Sequence, residues 1–186
     1  KRKPVVILST LIAVLAAFAS LGGLALSGLY RDNAFVTTTW LGNDAITLFL
    51  AVPILVAAMI FAQRGSLRAY LIWMGALDYM LYNYAFYLFG AAFNGFFLLY
   101  AALLALSILA MLFGLVHLDV DEISRLARKQ MPVRWIGGYF LFVALGLGTG
   151  YLVQSIGFIV TGTLPAIITL SGHPTNVVFA LDLTLL

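Results

Sequence analysis

Residues 5–29 run for 25 positions without a charged side chain, directly after Lys1-Arg2-Lys3-Pro4. A signal-peptide core is about 7–15 residues long, whereas a helix crossing the hydrocarbon of a bilayer needs about 20. The run therefore reads as a retained spanning helix. Further apolar runs cover about residues 45–62, 69–89, 95–116 and 135–160, and another begins near Asn176. Composition agrees, because 63% apolar and 9% charged residues lie far from the soluble average of roughly half and a quarter. These features predict an all-α integral membrane protein: a polytopic helical bundle of at least six transmembrane spans, forming a single transmembrane domain over residues 1–186.

The basic residues set the expected orientation. Lys1, Arg2 and Lys3, then Arg64 and Arg68, then Arg125, Arg128, Lys129 and Arg134 fall on one side when the loops are counted alternately, and only Arg31 falls on the other. Lys and Arg gather in short cytoplasmic loops, so the N-terminus is expected in the cytoplasm. Tyr30, Trp40, Tyr70, Trp135 and Tyr139 lie at expected span boundaries and read as headgroup anchors. Membrane lipids are the first expected partners. A cytoplasmic amphipathic helix is expected over residues 119–131, with Asp119 as N-cap, Glu122 closing a capping box, an Asp121–Arg125 pair, and Pro132 as its stop. The last apolar segment, from Asn176 to Leu186, reaches only about 16 Å as a helix and would be a truncated span. Extending it back to Leu164 would put a broken backbone at residues 171–175 into the membrane.

Several chemistries are excluded by subtraction. The chain has no cysteine, which removes iron–sulfur ligation and thiolate chemistry. His117 and His173 belong to opposite faces, so a single bis-histidine haem is not expected. Covalent retinal needs a lysine within a span, and Lys1, Lys3 and Lys129 are all outside the runs. No His and carboxylate cluster suggests a metal-dependent hydrolase. The +3 net charge is spent on topology and gives no reason to expect nucleic acid. Gly146 and Gly150 form a GxxxG pair, and Ala13, Ala16, Ala17, Ser20, Gly23 and Ser27 recur at helical spacing. Both are packing signals.

Chemistry-bearing residues concentrate in the third run. At 100° per residue, Asp78, Tyr79, Tyr82, Asn83, Phe86 and Tyr87 fill one half of that helix, and Tyr70, Trp73, Leu77, Leu81, Tyr84 and Leu88 fill the other. The first half is expected to face the bundle and the second the lipid. Asp78 then lies near the midplane, where an ionised carboxylate needs donors, water or a cation. Asp182 in the last segment, Gln154 in the fifth, and Asp44, which at the start of the second run reads as a rim cap, complete an expected outward-facing polar cavity. The candidate ligand-binding residues are thus Asp78, Asn83, Tyr79, Tyr82, Tyr87, Asp182, Asp44 and Gln154, with no catalytic residue named and any metal unknown.

Residues 81–90, with Phe93-Asn94 and residues 97–100, resemble stretches of prokaryotic multi-pass membrane proteins, which implies a prokaryotic cytoplasmic (inner) membrane. The leading functional expectation is binding or translocation of a small cation, proton or polar solute around Asp78. The alternative is a non-catalytic accessory or assembly subunit of a larger membrane complex, with a membrane-protein partner or a second copy of itself. A lipid-modifying enzyme is the third; enzymatic activity is the less expected outcome.

Overall fold

The computed structural model describes residues 3–118, 120, 121, 123–125 and 132–185. Its regular elements are all helical among those residues. They are α1 (Lys3–Ala25), α2 (Ala34–Ile46), a π-helical turn (Thr47–Ala51), α3 (Val52–Gln63), α4 (Leu67–Gly90), α5 (Phe97–Val116), α6 (Val133–Thr161), α7 (Ala166–Ser171) and α8 (Val177–Leu185). The chain divides into two compact units, Lys1–Leu118 and Asp119–Leu186.

Among the described residues four helices are long and apolar enough to cross a membrane: Lys3–Ala25, the continuous Ala34–Gln63 helix, Phe97–Val116 and Val133–Thr161. This supports an integral membrane protein. Two of the six expected spans do not reach the same standard. Helix α4 has the length, at 24 residues, but carries five tyrosines, Asn83, Asp78 and Arg68. Helix α8 has nine residues, short of the roughly 20 a crossing requires.

The second run starts eleven residues earlier than its apolar composition implies. Asn33 caps α2 by accepting the Val36 amide at 3.0 Å. Thr38 and Thr39 then donate to the carbonyls of Ala34 and Phe35 at 2.8 and 3.2 Å, so their hydroxyls are satisfied within the helix. Asp44 is consequently ten residues inside the helix rather than at its rim. The expected disturbance at Pro53 takes the form of the π-helical turn just before it, where the Val52 amide reaches back to the Thr47 carbonyl. One extra residue in the turn accommodates the missing proline donor.

Within the first unit α1 packs on α2, α3 and α5, while α4 packs on α3 and α5. The small-residue face of α1 does what its spacing implies, because Ala13, Ala16, Ser20 and Gly23 are buried. The two halves of α4 are assigned differently from the sequence expectation. Tyr70, Trp73, Leu77 and Tyr84, expected toward lipid, are buried, whereas Asp78 is exposed. The reason lies in their polar handles: the Tyr70 hydroxyl donates to the Gly114 carbonyl at 2.7 Å and the Trp73 indole to the Ser9 hydroxyl at 2.9 Å. Large aromatic groups with internal partners bury more surface than the polar half could. Tyr30 and Trp40, read as headgroup anchors, also belong to the core, while Trp135 and Tyr139 are exposed.

In the second unit, α7 ends at Gly172, which has φ +70°, and α8 resumes at Val177. The break expected near residues 171–175 is present. Asp119, Glu122 and residues 126–131 of the expected amphipathic helix lie outside the described residues. At its remaining positions the Arg125 guanidinium donates to the Asp121 carbonyl at 3.3 Å.

Candidate functional site

Asp44 is the buried carboxylate of the first unit, 3% exposed. Its Oδ2 accepts the Tyr30 hydroxyl at 2.5 Å and its Oδ1 accepts the Tyr87 hydroxyl at 2.8 Å. Ser20, also buried, brings a third hydroxyl from α1 to the same carboxylate. No basic side chain pairs with Asp44 among the described residues. The phenols therefore supply the donors that a buried carboxylate requires.

Three elements place these groups. Asp44 projects from α2 opposite Tyr87 of α4, and Tyr30 reaches in from the segment joining α1 to α2. Gly23 of α1 makes the approach feasible, because a Cβ built there would collide with the Asp44 carboxylate and lie 2.6 Å from the Tyr30 oxygen. Tyr30 is outside the spanning helices, and burial, followed by the nearby Tyr87 and the hydrogen bond to Asp44, pushes its phenol far above the usual range. Tyr30 accordingly stays a protonated donor at any physiological pH.

An aromatic wall surrounds the carboxylate. Trp40 packs on Tyr87 with ring centroids 4.7 Å apart, and Tyr87 packs on Tyr100 at 4.9 Å and Tyr84 at 5.9 Å. The hydroxyls of Tyr84 and Tyr100 are buried without a hydrogen-bond partner. Such orphaned groups are uncommon in folded proteins. The cluster is pinned near the α4–α5 connection by Asp32, whose carboxylate accepts the Trp40 indole at 3.0 Å and the Ala92 amide at 3.1 Å.

A second set of polar groups begins beside Asp44 on α2 and continues one turn along the helix. Asn43 donates to Asn83 at 2.5 Å, Asn83 donates to the Thr47 hydroxyl at 3.4 Å, and Thr47 shares a 2.8 Å hydrogen bond with the Tyr79 hydroxyl. Thr47 opens the π-helical turn, a feature often found at functional sites.

Of the residues proposed from sequence, the structure thus brings together Asp44, Tyr87, Asn83 and Tyr79. Asp78 is exposed on α4, and Tyr82 is half-buried. Asp182 and Gln154 belong to the second unit. There the Tyr151 hydroxyl donates to Asp182, and Gln154 lines a cavity of about 550 Å³ with Ser155, Asn176 and Phe179. Sequence reasoning missed Tyr30, Ser20, Tyr84 and Tyr100. The signal available for Tyr30 was its position between two apolar runs beside Arg31 and Asp32, which is equally the signature of an interfacial anchor.

Comparison with family models, curated proteins and solved structures returned no match. The functional reading is carried by the geometry.

Proposed function

We propose that this membrane protein binds and passes protons at Asp44. The single observation that carries the reading is a carboxylate shut away from solvent, with a phenolic O–H on each oxygen and no basic side chain paired with it among the described residues. Among a proton, a metal cation and a polar solute, only a proton needs no cavity, and the contact with Gly23 leaves no room for a hydrated ion. A hydroxyl both donates and accepts. A proton delivered to the Tyr30 oxygen while that hydroxyl gives its own proton to Asp44 leaves tyrosine neutral and the acid protonated. Release is the reverse exchange: Asp44 returns a proton to the oxygen of either phenol as that hydroxyl gives up its own, so each phenol stays neutral and the carboxylate is regenerated.

Helix α4 is a further span in this account, with Tyr70, Asn83, Tyr84 and Tyr87 among its twelve buried residues, which pack mainly against α3 and α5. The N-terminus lies on the cytoplasmic side of a prokaryotic inner membrane. Lys3 adjoins Ala62, Gln63 and Gly65 at one end of the first unit, the end that also carries Arg64 and Arg68, and this grouping supports the orientation. Tyr30, in the segment joining α1 to α2, then lies toward the outer side. A second reading, an accessory subunit of a membrane complex, is favoured by the exposure of Asp78.

The test is proton flux into liposomes containing the purified protein and an internal pH-sensitive dye. The native protein is expected to collapse an imposed pH gradient, and Asp44→Asn, still folded, is expected not to. Equal flux in the variant, or none in the native protein, would overturn the proposal.

A further inference from the structure

We infer that the outward face of α4 around Gly75 and Asp78 docks a transmembrane helix of a partner protein that carries an Arg or Lys near its midpoint. The inference rests on α4 crossing the membrane and gives chemical content to the accessory-subunit reading; it is independent of proton passage at Asp44. Asp78 is the twelfth of the 24 residues of α4, about 16 Å from the helix start at 1.5 Å per residue, and therefore close to the bilayer centre. It is exposed and makes no hydrogen bond or ion pair with any described residue. A lipid-facing carboxylate at that depth is costly, and membrane proteins pair such groups.

Its surroundings fit a helix. Ile72 and Phe89, 55% and 64% exposed, continue the same stripe of α4. A Cβ added at Gly75 would meet nothing within 4 Å, so a neighbouring backbone can approach closely there. Beside Gly75 and Tyr79 runs an apolar groove of about 390 Å³ walled by Ile46, Leu50 and Ile54 of the long Ala34–Gln63 helix. The groove takes apolar side chains, Gly75 takes the helix backbone, and Asp78 takes a cation. A second copy of this chain would set Asp78 against Asp78. Nor do the chain's own apolar spans have a basic residue away from their ends: Lys3 and Arg134 are terminal. We assign the basic helix to a different protein.

The probe is a synthetic Leu/Ala spanning peptide of about 22 residues with a central Arg, compared with the same peptide carrying a central Leu. Each is labelled and mixed with the labelled full chain in phosphatidylcholine vesicles, with association read by energy transfer. The Arg peptide is expected to bind about ten-fold more tightly. Asp78→Asn should erase that preference, and Gly75→Leu should weaken both peptides. Both positions are exposed, so the variants should melt like the native protein. Equal binding of the two peptides, an Arg preference that survives Asp78→Asn, or self-association of the chain that depends on Asp78 would overturn the inference. Proton flux is a separate readout, so failure here leaves the Asp44 reading standing.

Discussion

At the residue scale the decisive contact is between the smallest side chain and a buried charge. Gly23 leaves the space that the Asp44 carboxylate and Tyr30 hydroxyl fill. Gly23→Ala should force the pair apart and cost about 1–3 kcal/mol, as overpacking does, measured as a lowered melting temperature in detergent. Tyr87→Phe removes one donor from a buried acceptor and should cost about 1–3 kcal/mol. Tyr84→Phe, by contrast, removes a hydroxyl that has no partner and should be neutral or stabilising in the same assay. Asp44 was legible as a carboxylate near an apolar run. Its depth was not, because Thr37-Thr38-Thr39 and Asn43 make the first turns of α2 look polar, although the helix satisfies two of those threonine hydroxyls internally and Asn43 pairs with Asn83.

At the element scale the helices themselves were readable from run length, whereas the inward face of α4 was not. In water, polarity separates outside from inside; in lipid, Tyr70 and Trp73 can face inward because the Gly114 carbonyl and the Ser9 hydroxyl accept their hydrogen bonds. Asn83 and Tyr87 were assigned to the buried side and are buried, but Asp78 on the same half-circle is not. The π-helical turn had only Pro53 as its signal. Removing its extra residue would rotate α2 against α3 by about 100°, so that Asp44 and Thr47 could no longer face α4 while Leu55 and Ala58 keep their places in the core. Deletion of Phe49 should therefore abolish the cooperative melting transition. Phe49→Ala, at a position 73% exposed, should leave it unchanged.

At the scale of the whole molecule, composition was sufficient to read a helical membrane protein, and the division at residue 118 left no comparable mark. The first unit contains a continuous core of α1 to α5. In the second, Tyr151 is the one buried residue of α6 among those described. A chain ending at Leu118 should keep the near-ultraviolet circular dichroism of Trp40 and Trp73 and melt cooperatively. The central claim is that Asp44, and not the exposed Asp78, is the group that takes up and releases the proton. Infrared difference spectra recorded between neutral and acidic pH test this directly. Above the bands of the other carboxylates, one protonated-carboxyl component should appear in the native protein and in Asp78→Asn and be missing from Asp44→Asn. That component persisting in Asp44→Asn and vanishing from Asp78→Asn would contradict the account.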